Sequence, residues 1–163
     1  MPAKSATVNY WLFKSEPSAF SIDHLAKSPS RTAAWDGVRN YQARNHLRDG
    51  VRRGDKVLFY HSSEEPLGVF GTLEVIRAAY PDPTQFDPHS PYYDSGSTGE
   101  HPRWVAVDVR LLKKFARPVL RNQLRDDKTT RGMLVLKRGI RLSIQPVTKE
   151  EWLAVHRLAG ERA

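Results

Sequence analysis

Cysteine is absent from the 163-residue sequence. Its absence excludes a disulfide scaffold, a thiolate metal site and a cysteine nucleophile, and it is consistent with a reducing compartment. Long apolar runs are absent too, since none approaches the ~20 residues that span a bilayer. The N-terminus, MPAKSATVNYWLF, lacks the apolar segment of a signal peptide. We therefore expect no membrane partner, and a location in the cytoplasm of a prokaryote or in the nucleus of a eukaryote.

Several catalytic signatures are also missing. The sequence has no glycine-rich phosphate loop, no G-x-S-x-G turn and no compact cluster of His, Asp and Glu that could supply three metal ligands. We expect no catalytic residue, no metal and no cofactor. An enzyme acting on a modified nucleotide remains an alternative, with His61 as a general base beside Ser15 or Ser62. Asp36 or Glu16 would then orient the imidazole.

Charge is unevenly distributed along the chain, whose formal net charge is +8. Residues 1–63 carry a net charge of +5, residues 64–100 carry −6 and residues 101–148 carry +9. If the two basic segments share a face, they would attract a polyanion such as a nucleic acid. The acidic middle segment instead supports an alternative function as a protein-interaction module, with the loop 80–103 as its contact surface.

The hydrophobic pattern predicts an α+β fold. Strands are expected at residues 9–14, 56–61, 68–78, 104–115 and 141–145. Helices are expected after Ser21, after Asn40, from Pro118 to Leu124 and after Thr148, with a turn at Trp35–Val38. Because strands and helices do not alternate strictly, we do not expect a doubly wound parallel sheet. A small curved sheet or β-barrel of about five or six strands, with short helices packed outside, fits the pattern better.

Local features refine this prediction. Gly71 indicates a bulge or a close approach of another segment. Residues 80–103 predict a long loop that packs down through its aromatic side chains. Pro146 is expected to end the last strand. Residues 1–9 are expected to form a flexible tail, which leaves residues 10–160 as a single domain.

Three stretches combine aromatic rings with polar side chains, namely Tyr10–Pro17, Trp35–Asn45 and Leu58–Ser62. A nucleobase needs flat walls for stacking and fixed amide or hydroxyl groups for its edge, and arginines beside it would hold phosphates. The same residues could instead serve the fold, with Trp35 in the core and Asn40 only as a helix cap.

These stretches also carry a resemblance to a known family. The strings YWLFKSEP, WDGVRNYQARN, GDKVLFYHS, YPDPTQFDP with the YYD that follows it, PRWVAVDVRL and RLSIQPVTKEEW resemble the EVE domain, in that order, from about Tyr10 to Trp152. The EVE domain belongs to the PUA-like superfamily and is related to the YTH domain. The resemblance implies a PUA-like small curved β-barrel with helices around it. It also implies a pocket for a modified nucleobase, which is a methylated adenine in RNA for YTH relatives and a modified cytosine in DNA for EVE proteins.

The resemblance and the chemistry of the side chains together give two sets of candidate residues. The base-binding pocket would comprise Trp11, Lys14, Ser15, Trp35, Asn40, Tyr41, Tyr60, His61 and Ser143. From the chemistry of the side chains, phosphates would be held by Arg39, Arg44, Asn45, Arg48, Arg52 and Arg53, and the basic residues from Arg103 to Arg141 would also hold the backbone. Trp35 would stack on the extruded base, with Tyr41, Tyr60 or Trp11 as the second wall.

The predicted function is a non-catalytic, monomeric nucleic-acid-binding module that recognises a modified base, most simply a modified cytosine in DNA. A reader of a modified RNA base is the first alternative. The protein-interaction module and the enzyme acting on a modified nucleotide follow it.

Overall fold

The computed structural model describes residues 7–163, which form a six-stranded mixed sheet. The strands are β1 (Tyr10–Ser15), β2 (Thr32–Trp35), β3 (Lys56–His61), β4 (Gly68–Pro81), β5 (Val105–Leu120) and β6 (Ile144–Val147). Their order in the sheet is β2-β5-β4-β3-β1-β6, and only the β1–β3 pair is parallel among the described strands. In this part of the chain β2 and β6 are the two edges, so the sheet is open. Register shifts in the long β4–β5 ladder bend it, because bulges add local twist.

Within the described residues, four short helices cover this sheet. They are α1 (Ile22–Lys27), α2 (Tyr41–Asn45), α3 (Arg121–Asp126) and α4 (Lys149–Ala159). The predicted caps are confirmed, since Ser21, Asn40 and Thr148 each accept a hydrogen bond from a backbone N–H of the helix that follows. The predicted α+β class, the strand number and the outer helices are confirmed as well. No helix within residues 7–163 has the length and apolarity needed to cross a membrane.

Both faces of the sheet are buried, and the strand alternation shows how. Trp11 and Phe13 of β1 point into one hydrophobic cluster, whereas Leu12 points into the other. In β3, Phe59 joins the first cluster and Tyr60 the second. A strand covered on both faces reads as a nearly continuous apolar run, which is why YWLF and VLFY are so conspicuous in the sequence.

Gly71 lies where two strands approach each other closely, as predicted. A Cβ at this position would overlap the Lys113 carbonyl oxygen and the Ile22 side chain. The β4–β5 register also shifts between Val69 and Gly71. A side chain there would separate the sheet from α1.

Two predictions based on proline are wrong. Pro118 does not open a helix, since β5 continues to Leu120 and α3 begins at Arg121. In the pairing of β5 with β4, the paired residues of β5 skip from Lys114 to Val119. Pro118 therefore lies in a bulge, where no backbone N–H is needed for the ladder. Pro146 does not end the last strand either. It lies within β6, an edge strand whose outer side makes no ladder bonds in the described chain.

Other boundaries also differ from prediction. Trp35 ends the four-residue strand β2 and is not part of a turn. The helix expected after Asn40 is an α-helix only to Asn45 and continues as a π turn over His46–Gly50. The tail predicted at residues 1–9 lies mostly outside the described residues, and the single domain at 10–160 stays a prediction.

Candidate functional site

A cleft of about 460 Å³ opens where β1 and β2 end. One side comes from the end of β1 and the loop after it, with Lys14, Ser15 and Phe20. The end of β2 and the segment after it, residues 34–40, form the opposite side. Tyr92 from the long loop and Ser143 before β6 complete the lining. The cleft therefore assembles four parts of the chain that are distant in sequence.

Aromatic side chains form the floor of this cleft. Trp35 is only 6% exposed, because its ring packs 5.2 Å from Phe13 and 5.2 Å from Phe59, measured between ring centroids. Phe20 meets Trp35 edge-on at 6.0 Å and is itself partly exposed. Trp35 thus lines the cleft as predicted, but it offers a small surface and also belongs to the core.

Tyr92 supplies a more accessible wall. It is 38% exposed, and its ring lies directly against Gly37. Gly37 has a φ of +76°, and a Cβ there would stand 2.8 Å from atoms of the Tyr92 ring. Only glycine satisfies both the left-handed backbone and this close contact without strain.

A buried carboxylate, that of Asp82, fixes Gly37 and also Arg39, which in turn contacts Tyr92. Asp82 has a fully buried side chain whose Oδ2 accepts from the Gly37 N–H at 2.8 Å and from Arg39 Nη1 at 3.0 Å. Its Oδ1 accepts from the backbone N–H and the hydroxyl of Thr84. Burial alone would raise the pKa of Asp82, but these hydrogen bonds outweigh burial and hold the pKa below its ordinary value.

The Arg39 guanidinium makes hydrogen bonds inside the protein, and the phosphate contact predicted for it stays a prediction. Besides Asp82, its guanidinium donates to the Tyr92 carbonyl oxygen from both Nε (3.0 Å) and Nη2 (2.7 Å). Nη2 also donates to the Thr84 hydroxyl. With these donors engaged inside the protein, Arg39 positions Tyr92 and the loop.

The long loop packs down as predicted, through polar side chains as well as aromatic ones. Gln85 is fully buried, and its amide donates to the carbonyls of Asp82 and Trp104 while its oxygen accepts from two backbone N–H groups. Asp94 accepts from the Trp104 indole at 2.7 Å. These contacts fix the part of the loop that carries Tyr92.

Polar groups in the cleft keep hydrogen-bonding capacity for a ligand. Asn40 caps α2 through its Oδ1, which accepts from the Ala43 N–H at 3.0 Å, so its amide NH₂ remains a donor. Ser15 donates its hydroxyl to the Phe20 carbonyl at 2.6 Å and retains its lone pairs. Enclosure by the cleft walls, with the Asp82 carboxylate nearby, raises the pKa of Asp36.

Four of the predicted pocket residues lie elsewhere. Trp11 is buried beside His46, and its indole donates to Asp55 at 2.9 Å. Tyr60 points into the other hydrophobic cluster, and Tyr41 stacks outside the cleft on Trp104, 4.8 Å away.

His61, the fourth, is buried and does not line the cleft. Its Nε2 accepts from the Ile22 backbone N–H at 3.1 Å, and its ring stacks on Phe70 at 3.9 Å. Burial lowers the pKa of His61, which favours this neutral acceptor form. The imidazole therefore anchors α1, and that ring nitrogen is not available as a general base at Ser15.

The other predicted phosphate contacts lie outside the cleft. Arg44 stacks on the Tyr41 ring, donates to the Arg103 carbonyl oxygen and shares two hydrogen bonds with Asn45. Arg48 pairs with its neighbour Asp49 on the surface. The remaining two, Arg52 and Arg53, are exposed, and their role as phosphate contacts stays a prediction.

Comparison with known proteins gives this arrangement a family. The profile of the EVE domain matches residues 9–158. The chain belongs to the EVE domain family. Human thymocyte nuclear protein 1 is 42% identical to it over 161 residues, which cover 88% of this chain and 71% of that protein.

Solved structures of similar proteins share the fold. A Pseudomonas putida protein is 44% identical and superposes with a TM-score of 0.87, covering 92% of this chain and 99% of that one. The human THYN1 protein, in complex with 5-methylcytosine containing DNA, is 37% identical with a TM-score of 0.87. That match covers 95% of this chain and 99% of the human one. The resemblance to the EVE domain is thereby confirmed, and the PUA-like fold with it.

This EVE domain contains cleft residues that the sequence did not assign to the base pocket, namely Phe20, Asp36, Gly37 and Tyr92. Asp36 entered only the alternative of an enzyme, as an orienting carboxylate, and Asp36 and Gly37 together indicated a turn. Tyr92 stood in the resemblance as part of the long loop, without a role. Within residues 7–163 no three His, Asp or Glu side chains gather as a metal site would require.

Proposed function

We propose that this EVE domain is a non-catalytic nucleic-acid-binding module that takes a modified base, a modified cytosine in DNA, into the cleft beside Trp35. The observation that carries the proposal is the cleft itself, which combines an aromatic floor, an exposed Tyr92 ring and a few fixed polar groups. Its volume of about 460 Å³ is in the range of small-molecule pockets, which run from ~300 to 1,000 Å³. A nucleobase bound there would be extruded from its stack.

The polar groups suit cytosine. Cytosine presents its exocyclic amino group as a donor, and carboxylates are its usual acceptors in proteins. Asp36 offers such a carboxylate on the cleft wall, while the free amide NH₂ of Asn40 can donate to a carbonyl oxygen of the base. The human THYN1 structure, which contains 5-methylcytosine DNA, supports the same choice.

The apolar part of the cleft limits how strongly a methyl group can be selected. Ala19, Phe20 and Val38 line it beside the polar groups. Burying one methyl group contributes only about 0.8 kcal/mol, which is a factor of about four in affinity. Larger selectivity requires that the unmodified base leave a polar group unpaired.

The structure favours a binding function over the two alternatives. The Nε2 of His61 already accepts a hydrogen bond from the Ile22 N–H, which weakens the enzyme hypothesis. Acidic groups of the middle segment are engaged within the chain, since Asp82 pairs with Arg39 and Asp94 with Arg103. This internal pairing weakens the case for an acidic interaction surface.

The proposal is tested with DNA and RNA oligomers that differ at one base, measured at fixed salt. The set includes 5-methylcytosine, 5-hydroxymethylcytosine and N6-methyladenine, each beside its unmodified counterpart. We expect the tightest binding to DNA with a modified cytosine. Equal affinity for all oligomers would refute base recognition, and preference for a modified RNA base would establish the RNA alternative.

A matched pair of variants locates the base. Tyr92→Ala removes an exposed cleft wall, and Tyr93→Ala removes a neighbouring ring that is 45% exposed and does not line the cleft. Because stacking on an aromatic ring contributes ~1–3 kcal/mol per base, Tyr92→Ala should weaken binding of the modified strand by about five- to 150-fold. Tyr93→Ala should bind as the wild type does. Equal effects of both substitutions would place the base elsewhere.

A further inference from the structure

A second cleft adjoins the first and is lined by positive charge. Its volume is also about 460 Å³, and Lys14 lines both clefts. The other cations that line it are Arg121, Arg125, Lys137 and Arg138. They come from α3 and from the segment that follows the 3₁₀ turn Leu134–Leu136.

These five cations lack counter-charges. Within residues 7–163 none of them has a carboxylate oxygen within 4.0 Å, whereas Lys56, Arg110 and Lys113, for example, each have one. Carboxylates therefore pair with cations elsewhere on the protein, whereas no acidic residue of the described chain lines the second cleft.

Arg121 adds an independent observation. Its Nε is buried and is the one buried side-chain nitrogen or oxygen in the described residues that has no hydrogen-bond partner. Buried polar atoms in native proteins nearly always have a partner, so an isolated one marks a place where a ligand, an ion or a water binds. A guanidinium presents Nε–H and Nη–H as a fork that matches two oxygens of a phosphate.

Lys14 illustrates the electrostatic repulsion between the cations of this cleft. Burial lowers the pKa of Lys14, and the positive charge of Arg121 lowers it further. An anion bound between the two side chains would offset this repulsion.

We propose that the second cleft binds a backbone phosphate of the nucleic-acid strand whose base enters the first cleft, with the Arg121 guanidinium as the principal contact. This inference rests on the proposed function for the source of the phosphate. Lys14, on the wall between the clefts, lies where it can contact both the base and its neighbouring phosphate. A phosphate held there would fix the strand without reading its sequence.

The test measures how affinity depends on salt. Single-stranded DNA with the modified cytosine, the unmodified base or an abasic site is bound by wild type, Arg121→Gln and Arg110→Gln. Arg110→Gln removes the same charge from an arginine that lines neither cleft. We expect Arg121→Gln to weaken binding about tenfold for all three strands and to lower the slope of log K against log salt by about 0.7. Arg110→Gln should change both quantities little.

Two further variants protect the test against misfolding. Arg121→Lys keeps the charge and loses the fork, so it should recover only part of the lost affinity. Arg125→Gln changes an exposed side chain of the same cleft and should lower the salt slope in the same direction. All variants are compared by thermal unfolding before they are used.

The outcomes separate this inference from the proposed function. If Arg121→Gln and Arg110→Gln behave alike, the phosphate site is wrong, even where the wild type still prefers modified cytosine. If the wild type shows no preference but Arg121→Gln still loses affinity for the abasic strand, the phosphate site stands and base recognition fails. If the wild type binds inorganic phosphate and Arg121→Gln does not, while both bind all three strands equally, the cleft is a site for free phosphate and the assignment to the backbone is overturned.

Discussion

Replacement of Asp82 by asparagine tests how far the cleft depends on one buried carboxylate. The substitution keeps the shape of the side chain but converts one acceptor oxygen into an NH₂ group. Each carboxylate oxygen of Asp82 accepts two hydrogen bonds. In either orientation of the asparagine amide, the NH₂ group therefore faces two groups that are themselves donors. The less damaging orientation places the NH₂ group toward Thr84, whose hydroxyl can rotate to accept.

The magnitude follows from what remains unpaired. In that orientation the Thr84 backbone N–H loses its acceptor inside the protein, which costs about 1–3 kcal/mol. The ion pair with Arg39, whose partner carboxylate is fully buried, becomes an ordinary hydrogen bond and costs about 1 kcal/mol more. We expect a loss of about 3 kcal/mol in the free energy of unfolding. For a domain of this size, ~2–4 °C per kcal/mol places the fall in Tm at roughly 6–12 °C.

The control is Asp87→Asn in the same loop. Asp87 is exposed, and its side chain accepts one hydrogen bond, from the His89 N–H at 2.9 Å. Thermal and urea unfolding of wild type and both variants give the comparison, with DNA binding measured at a temperature where all are folded. Asp82→Asn should also bind DNA more weakly, because it weakens the hold on Arg39, which positions Tyr92 at the cleft. A fall in Tm of less than about 2 °C, or equal falls for the two variants, would refute the reasoning.

The remaining predictions concern the same wall of the cleft. Gly37→Ala should lower the free energy of unfolding by about 1–2 kcal/mol, because an L-residue at a φ of +76° is strained and the new Cβ meets the Tyr92 ring. Denaturant titration measures this loss, and an unchanged midpoint would contradict the contact. Because the pKa of Asp82 is lowered in the fold, its contribution to stability is complete at pH 7 and is lost as the pH falls below about 4. The stability difference between wild type and Asp82→Asn should therefore shrink between pH 7 and pH 3, as urea unfolding at both values would show. The pKa of Asp36 is raised, so its carboxylate becomes protonated at a higher pH than an ordinary aspartate does. As the solution is acidified, binding of a cytosine amino group should therefore begin to weaken at that higher pH. Asp36→Asn should lack this step, and an identical pH profile in both proteins would remove Asp36 from the base contact.

The fold could be predicted wherever local chemistry decides it. Apolar runs determine β1 and β3 because both faces of these strands are buried, and the caps at Asn40 and Thr148 depend on residues three positions away. β2 was missed because Thr32–Trp35 contains two alanines and no alternation. Its pairing with β5, more than seventy residues later, creates the strand. The position of Pro118 likewise depends on a bulge in the pairing of β5 with β4, which no local sequence pattern reveals.

The candidate site was predictable in part for the same reason. Lys14, Ser15, Trp35 and Asn40 line the cleft because they lie within or next to elements whose positions are locally determined. Tyr92 comes from a loop whose path is set by a buried carboxylate ten residues earlier. Nothing in the sequence of that loop distinguishes Tyr92, which faces the cleft, from its neighbour.

Arginines show the limit of reasoning from charge. Arg39 lies in the most suggestive motif of the chain, yet its donors are engaged by Asp82 and by the Tyr92 carbonyl. Arg121 follows a strand with no recognisable motif, yet its Nε is buried without a partner beside Lys14. Both arginines add equally to the net charge. Net charge therefore predicts a polyanion partner but not which side chains contact it. Those contacts are decided by which cations the fold leaves without an acceptor, and in this chain they point to the second cleft.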